Sequence, residues 1–224
     1  MSGPLYGVFG AGGCGRGVMP LARGQVGEHT LTADRLVFID DAPQAGWVNG
    51  HRVVTYAEFL AQPAGERWVA CAIAGSRIRE AIAARCQADG IRSWSIQAGN
   101  VVIMDDVRIG EGAILSPFVT LTSNIVIGRH FQANLYCYVE HDCVIGDFVT
   151  FAPGVKCNGN VSIGDHAYLG AGAVIRQGSP GQPMLIGEGA VVGMGAVVTR
   201  DVPPGATVIG NPARTMSYRS NQLC

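Results

Sequence analysis

The second half of the chain repeats an apolar residue at every sixth position. From residue 103 to residue 175 each sixth residue is apolar, and from the second member on so is the residue two positions before it. Five Ile-Gly pairs follow the same rhythm, the first four 18 residues apart and the last after 23: Ile109-Gly110, Ile127-Gly128, Ile145-Gly146, Ile163-Gly164 and Ile186-Gly187. This period fits neither an amphipathic helix nor a long alternating strand.

The rhythm predicts a coil of short strands and tight corners. Two inward-facing residues form each strand, a three-residue corner follows, and three such units close a triangular turn, as in a hexapeptide-repeat parallel β-helix. The glycines after the isoleucines are expected at positive φ, which glycine adopts without steric strain. A sandwich of short strands is the alternative, but it does not explain an unbroken six-residue period.

One corner breaks the rhythm. Eight residues, 176–183, stand between the apolar lanes where three are expected. Met184 and Ile186 then resume the two lanes. Residues 201–204 are expected to end the coils, and residues 205–216 are expected to form a non-repeating tail.

The first 98 residues predict a different kind of fold. Their elements are predicted as strands at 5–9, 36–39, 68–73 and 93–96 and helices at 16–23, 56–60 and 78–88. Strands that alternate with helices indicate a small parallel sheet covered by helices. We therefore predict two domains: 1–98, an α/β Rossmann-like domain, and 99–224, an all-β parallel β-helix with a C-terminal tail.

A glycine-rich turn, 10–15, follows the first predicted strand. This pattern between strand and helix lets backbone N–H groups bind phosphate. Asp40 and Asp41 end the second strand about 25 residues later, where a ribose-binding carboxylate is expected. Because the segment holds about one mononucleotide-binding half, it favours a single nucleoside diphosphate over NAD. A tight turn without a ligand is the alternative.

The corner Glu140-His141-Asp142 carries the candidate chemistry. A carboxylate that accepts a hydrogen bond from one imidazole nitrogen leaves the other nitrogen free to act as a general base. Asp142 is the favoured partner, and Glu140 is the alternative or a substrate contact. A solvated surface histidine is the competing interpretation. The enlarged corner 176–183 favours a site, because it belongs to the same column of corners, two coils or about 10 Å further along the axis.

The remaining histidines lack this arrangement and are predicted to be structural: His29, His51, His130 and His166. The net charge of −1 gives no basic footprint for nucleic acid or a membrane surface. The seven cysteines form no Cys-x-x-Cys pair, and three of them lie on inward lanes. With no secretion signal or long apolar run, these features favour a reduced cytoplasmic protein.

On these residues the chain resembles the left-handed β-helix acyltransferases. Within them it is similar to the sugar acetyltransferases that include the bacillosamine-pathway N-acetyltransferase and relatives acting on perosamine and sialic acid. The resemblance covers nearly the whole chain and rests on four segments: Gly10-Ala11-Gly12-Gly13-Cys14-Gly15-Arg16, Phe38-Ile39-Asp40-Asp41, Val139-Glu140-His141-Asp142-Cys143-Val144-Ile145-Gly146 and Gly210-Asn211-Pro212-Ala213-Arg214.

The resemblance implies a homotrimer with acetyl-CoA bound between neighbouring coils and no metal. It places the catalytic base on His141 and its carboxylate on Asp142. Its CoA contacts fall on Gly159, Ala171, Gly193 and Met194. Its nucleotide contacts fall on Gly10, Gly12, Gly13, Asp40 and Asp41.

The predicted function is acetyl-CoA-dependent N-acetylation of a nucleotide-linked amino sugar, with the 4-amino-4,6-dideoxy type favoured. O-acetylation of a sugar is one alternative. A non-catalytic trimeric binding module is the other.

Overall fold

Residues 3–27 and 33–216 are described by the computed structural model of the chain. The front of the chain alternates strands with helices, and a short 3₁₀ turn at Ala33–Arg35 precedes the second strand. Its elements are β1 (Leu5–Phe9), α1 (Gly13–Val26), β2 (Leu36–Ile39), β3 (Trp47–Val48), β4 (His51–Val54), α2 (Tyr56–Ala61), β5 (Arg67–Cys71), α3 (Ser76–Ala88) and β6 (Arg92–Ser93). A capping box between Thr55 and Glu58 begins α2.

The front strands form one sheet in the order β3-β4-β2-β1-β5-β6. Every neighbouring pair is parallel except β3 with β4. The chain crosses from β1 to β2 and β4 on one side and later to β5 and β6 on the other. This reversal of strand order opens a crevice at the carboxyl ends of β1 and β5, where ligands bind in open parallel sheets.

From residue 96 onward the chain visits three sheets in turn, which form the faces of a triangular prism. The docking face contains β7 (Ile96–Gln97), β10 (Ile114–Leu115), β13 (Gln132–Ala133), β16 (Thr150–Phe151), β19 (Tyr168–Leu169), β22 (Val191–Val192), β24 (Thr207–Ile209) and β25 (Arg214–Thr215). The second face contains β8 (Val102–Ile103), β11 (Thr120–Leu121), β14 (Tyr138–Val139), β17 (Lys156–Cys157), β20 (Val174–Ile175) and β23 (Val197–Val198). The third face contains β9 (Val107–Ile109), β12 (Ile125–Ile127), β15 (Val144–Ile145), β18 (Val161–Ile163) and β21 (Met184–Ile186).

Three columns of corners join these faces, and each edge is named here by one of its residues. The Tyr136 edge joins the docking face to the second face. The His141 edge joins the second face to the third, and the Phe148 edge joins the third face back to the docking face. The His141 edge therefore lies opposite the docking face.

The predicted parallel coil is confirmed by the register of its strands. Leu121, Val139, Cys157 and Ile175 stack in successive rungs, each 18 residues after the last. Every sixth residue from 115 to 175 is buried. Ile103 is 38% exposed, because it belongs to the first coil and no further coil covers it.

The corners reach positive φ at a different residue from the one that was expected. Every sixth residue from 106 to 172 has φ between +53° and +72°, including Phe118 and Tyr136. The expectation is wrong for the Ile-Gly glycines, which lie two residues earlier and have other φ values. A Cβ on Gly110 would lie 2.7 Å from the backbone nitrogen of Arg129 in the next coil. These positions need glycine because the coils approach closely.

The coil also extends further at both ends than the sequence suggested. β7 pairs with β10 in the docking face, so the coil begins at residue 96. β24 stacks in parallel on β22, and β25 then folds back antiparallel. Residues 207–209 therefore continue the repeat, although they were expected to belong to a non-repeating tail.

The front sheet is held on the docking face by buried polar side chains. Gln132 Nε2 donates to the carbonyl of Cys71 at 2.7 Å, and Thr150 Oγ1 donates to the carbonyl of Ala74 at 3.3 Å. Both side chains project from docking-face strands, and both carbonyls lie at the carboxyl end of β5. The crevice of the front sheet is thereby positioned directly over the docking face.

The inward lanes are expected to supply much of the stability. The side chain of Leu169 is completely buried, so Leu169→Ala should lower the free energy of unfolding by about 2–5 kcal/mol. Leu135 is 40% exposed, and Leu135→Ala should change it by at most about 0.5 kcal/mol. Urea denaturation followed by circular dichroism at one protein concentration measures both. Equal losses would contradict the assignment of the lanes.

Candidate active site

The imidazole of His141 projects from the corner that joins β14 to β15. The side chains of His141 and Asp142 are 55% and 47% exposed, and His141 Nδ1 hydrogen-bonds Asp142 Oδ2 at 2.7 Å. A carboxylate oxygen only accepts, so Nδ1 carries the proton and Nε2 is unprotonated in the neutral ring. Nε2 is therefore the nitrogen that can take a proton from a substrate.

Asp142 is itself anchored from the preceding coil. Asn124 Nδ2 donates to Asp142 Oδ1 at 3.2 Å, and Asn124 occupies the same corner position 18 residues earlier. The side chain of Glu140 makes no hydrogen bond to the imidazole. The geometry thus pairs His141 with Asp142, and the predicted role of Glu140 as a substrate contact stays a prediction.

The charges of this corner make His141 a stronger base than a free imidazole. The hydrogen bond to Asp142 raises the pKa of His141, and the negative charges of Asp142 and Glu140 add to the effect. The same bond, together with the one from Asn124, lowers the pKa of Asp142. The carboxylate therefore stays ionised while the imidazole takes up and releases a proton.

Gly159 lies against the imidazole. A Cβ on Gly159 would lie 2.6 Å from Cε1 and 2.7 Å from Nε2 of His141. The backbone of Gly159 is not in the positive-φ region, so it would accept another residue without strain. Glycine is needed here because the ring occupies the space of a side chain. Its predicted CoA contact would thus lie beside the base.

The enlarged corner 176–183 stacks on the same edge as His141. Asn160 N donates to the carbonyl of His141 at 2.9 Å, and Gly178 N donates to the carbonyl of Gly159 at 3.0 Å. Three successive corners are therefore in register, as the repeat predicts. A cavity of about 540 Å³ lies between the enlarged corner and the next one, and Arg176 and Arg200 line it.

The other three predicted CoA contacts lie on the Tyr136 edge. Gly195 N donates to the carbonyl of Ala171 at 2.8 Å, which places Gly193 and Met194 on the coil next to Ala171. Met194 is 81% exposed. The second face separates these residues from Gly159. The four positions therefore border one face from two sides and do not form a single cluster.

The predicted phosphate-binding glycines line the crevice of the front sheet. Gly10 has φ +102°, Gly12 precedes the first residue of α1, and no side chain caps the helix. The N–H groups of the first turn are therefore available to an anion. A cavity of about 470 Å³ extends from Gly13 and Cys14 to the docking face.

Asp40 and Asp41 have different partners. Asp40 accepts hydrogen bonds from the backbone nitrogens of Ala11, at 3.3 Å, and Ala42, at 3.0 Å, so it holds the glycine-rich turn. Asp41 forms a 2.9 Å ion pair with Arg85. The structure thus brings both carboxylates to the rim of the crevice, and their contacts with a nucleotide stay predictions.

Within one chain the crevice and His141 lie on opposite sides of the prism. The crevice sits over the docking face, and His141 occupies the opposite edge. Six residues at about 3.3 Å each limit one side of the triangle to about 20 Å, so edge and face are on the order of 15 Å apart. A substrate held in the crevice cannot easily reach the imidazole of the same chain.

The remaining described histidines have structural surroundings. His130 and His166 stack on the two faces of Phe148, with ring centroids 5.1 and 5.4 Å apart. Burial lowers the pKa of His130 to about 4, and His51 Nδ1 lies 3.3 Å from the carbonyl of Leu36. His29 lies outside the described residues.

No group of three or more His, Cys, Asp or Glu side chains in the described part of the chain is arranged to hold a metal ion. None of the helices in residues 3–27 and 33–216 is long and apolar enough to cross a membrane.

Asn124 was missed at the sequence level, although a simple signal was available. It lies one 18-residue period before Asp142, so the repeat places the two side chains one above the other. Tyr138 and Asn158 were also missed: Tyr138 Oη donates to Asn158 Oδ1 at 2.9 Å, next to the candidate base. That contact joins residues 20 apart, and no sequence pattern marks it.

Known proteins resemble this chain along nearly its whole length. The family described as "Hexapeptide repeat of succinyl-transferase" matches residues 160–200. The GDP-perosamine N-acetyltransferase of Escherichia coli O157:H7 is 50% identical over 212 residues, which cover 95% of this chain and 96% of that protein.

Two solved structures extend the likeness to three dimensions. WeeI from Acinetobacter baumannii AYE has a TM-score of 0.93 and 54% identity, over 95% of this chain and all of that one (100%). The acetyltransferase domain of PglB from Neisseria gonorrhoeae FA1090, in complex with acetyl coenzyme A, has a TM-score of 0.84 and 30% identity, over 96% and 100% of the two chains. The chain therefore belongs to the hexapeptide-repeat sugar acetyltransferases, and the predicted family is confirmed.

The raised pKa of His141 is expected to depend on Asp142. Asp142→Asn keeps a side chain that tolerates positive φ but removes the charge, so the pKa of His141 should fall toward its ordinary value. Glu140→Gln, which removes a more weakly coupled charge, should lower it less. NMR titration of the His141 ring protons measures both values. An equal or larger fall in Glu140→Gln would assign the supporting charge to Glu140.

Proposed function

We propose that this protein transfers the acetyl group of acetyl-CoA to the amino group of GDP-perosamine, with His141 as the general base. One observation carries the proposal: an exposed imidazole whose Nδ1 is held at 2.7 Å by Asp142, so that Nε2 is free to accept a proton. The choice of substrate follows the 50% identical relative, which is a GDP-perosamine N-acetyltransferase.

The enzyme class predicted from the sequence is confirmed by the relatives. It is an acyltransferase that uses acetyl-CoA to N-acetylate a nucleotide-linked amino sugar. The guanine base and the perosamine sugar are the narrower part of the proposal. No observation on the described residues favours O-acetylation or a non-catalytic binding module.

The surroundings of His141 suit a thioester co-substrate. Gly159 leaves the imidazole without a covering side chain, where any Cβ would collide with the ring. Arg176 and Arg200 line the cavity further along the same edge and supply positive charge for the phosphates of CoA. Acetyl-CoA supplies the activated acyl group, and we place its contacts at Gly159, Ala171, Gly193 and Met194.

The chemistry then follows from the free nitrogen of His141. As the neutral amine attacks the thioester carbonyl carbon and the C–N bond forms, Nε2 takes the proton that leaves the nitrogen. Asp142 stabilises the imidazolium. The C–S bond breaks, and the leaving thiolate takes that proton, which returns His141 to its neutral form. A backbone N–H of a corner is the proposed donor to the carbonyl oxygen while negative charge develops on it. No step requires a metal.

The nucleotide is proposed to bind in the crevice of the front sheet. The support comes from the reversal of strand order at β1, from the open helix N-terminus at Gly12 and Gly13, and from the cavity of about 470 Å³ beside them. Gly10 forms the turn, and Asp40 and Asp41 line the rim. This assignment treats residues 1–98 as a Rossmann-like domain and residues 99–224 as a left-handed parallel β-helix domain.

A homotrimer with sites between subunits is part of the proposal. The crevice and His141 of one chain lie on opposite sides of the prism, so a second copy is needed to bring a crevice to each imidazole. The third face, next to His141, also exposes an apolar stripe: Val126, Val144 and Leu185 are 47%, 53% and 46% exposed and lie in register. Such a stripe favours burial against another copy.

We also place the enzyme in the cytoplasm. The described cysteines are free, as expected for a reducing compartment: Cys14, Cys71, Cys86, Cys137, Cys143 and Cys157. Cys224 lies outside the described residues. No nucleic acid or membrane partner is proposed.

Removal of the base should abolish most of the turnover. We expect His141→Ala to lower kcat by about 10²–10⁴, because a positioned general base contributes that much to proton transfer. Release of free thiol from acetyl-CoA in the presence of GDP-perosamine measures the rate.

The control for His141→Ala is the oligomeric state and the affinity for CoA, both expected to be unchanged. Near-normal turnover in His141→Ala would exclude His141 as the base. If wild-type protein releases no thiol with GDP-perosamine but does so with UDP- or dTDP-linked 4-amino sugars, the proposed base is wrong and the enzyme class stands.

The apolar stripe provides a test of assembly. Val144→Lys should shift the protein from trimer to monomer, because the change puts a charge in the proposed interface. Val102→Lys, at a 48% exposed strand position of the second face, is the matched control and should leave the mass unchanged. Size-exclusion chromatography with light scattering measures both. A trimeric Val144→Lys would show that the stripe is not the interface.

A further inference from the structure

Arg79 of α3 is a buried cation that no carboxylate neutralises. Its side chain is completely buried, and no acidic group within residues 3–27 and 33–216 forms an ion pair with it. Burial lowers the pKa of Arg79 to about 10, so the guanidinium remains charged at neutral pH. Fully buried arginine is rare unless its donors are satisfied, which raises the question of what Arg79 holds.

The guanidinium joins two parts of the molecule through backbone carbonyls. On the front side, Nη1 donates to the carbonyls of Ile73 at 2.7 Å and Ala74 at 3.1 Å. On the coil side, Nε donates to the carbonyl of His130 at 3.1 Å, and Nη2 donates to the carbonyl of Phe148 at 2.5 Å. A planar fork of donors is suited to this geometry, and a single ammonium group is not.

Thr150 closes the network. Its Oγ1 accepts from Arg79 Nη2 at 3.0 Å and donates to the carbonyl of Ala74 at 3.3 Å. The loop 72–75, which follows β5, is therefore fixed to the docking face by two side chains whose hydrogen bonds depend on each other.

The loop 72–75 forms a wall of the crevice. A Cβ on Gly10 would lie 3.1 Å from the carbonyl oxygen of Ala72, so the loop packs directly against the glycine-rich turn. Ala74 and Thr150 line the cavity of about 470 Å³ that begins at Gly13. A displacement of this loop would change the width of the cavity, whereas the His141 edge lies on the far side of the prism.

We propose that Arg79 is a positioning residue that fixes the loop 72–75 against the coil and so sets the geometry of the nucleotide crevice. This inference rests on the proposed binding of the nucleotide in that crevice. Arg79 touches no substrate itself. It acts through the backbone carbonyls of Ile73 and Ala74.

Arg79→Lys tests the proposal, because it keeps the charge and removes the fork. We expect about a tenfold loss of affinity for GDP, since small displacements of a binding wall have effects of this order or larger. Affinity for acetyl-CoA should stay within about twofold of wild type. Isothermal titration calorimetry with GDP and with acetyl-CoA measures both, and hydrogen exchange of residues 72–75 should become faster.

Two further variants make the result decisive. Thr150→Val keeps the shape of the side chain and removes its hydrogen bonds, so it should show the same pattern if Arg79→Lys does not fold. Arg77→Gln is the matched control: Arg77 also joins α3 to the coil, through Glu188 at 3.1 Å, but its side chain is 64% exposed. Its GDP affinity should stay within about twofold of wild type.

The outcomes separate the two claims. If wild-type protein does not bind GDP, the proposed nucleotide site fails. If wild type binds GDP and the folded Arg79→Lys and Thr150→Val variants bind it equally well, Arg79 is a structural clamp only and the inference is overturned. Equal losses for GDP and acetyl-CoA, or an equal loss in Arg77→Gln, would also overturn it.

Discussion

The backbone hydrogen bonds between successive coils are the constraint on which the rest of this structure depends. Each strand pairs with the strand 18 residues away, except where the enlarged corner lengthens the interval. Because side chains alternate between the inside and the outside of a strand, a shift of one residue would turn the apolar lanes outward. The extra residues 176–183 are therefore accommodated in a corner, where they leave the lanes in register.

The same stacking builds the candidate active site from three coils. Asn124 holds Asp142 from one side, Asp142 orients His141, and Gly159 leaves space for the ring from the other side. No single coil contains all these parts. The base is half exposed, and its raised pKa comes from one charged hydrogen bond and not from burial. A base of this kind is available to a large substrate arriving from another subunit.

The docking of the front sheet explains why one chain is unlikely to act alone in the proposed reaction. Gln132, Thr150 and Arg79 fix the crevice on the docking face, and His141 lies on the opposite edge. Rigid attachment keeps these two regions apart within a chain. It also gives every chain in a symmetric assembly the same geometry, so that a crevice of one copy is presented to an imidazole of another.

The sequence by itself determined the coil, its apolar lanes and the shared column of His141 and residues 176–183, because the six-residue period is a local pattern that repeats in register. It also located the glycine-rich turn and the acidic pair of the front sheet. Only the tertiary structure decided that Asp142, and not Glu140, binds His141, since that choice depends on a positive-φ turn and on Asn124 in another coil. It also decided that the Ile-Gly glycines serve close packing and that Gly159 faces the imidazole, because both facts arise from atoms one coil away.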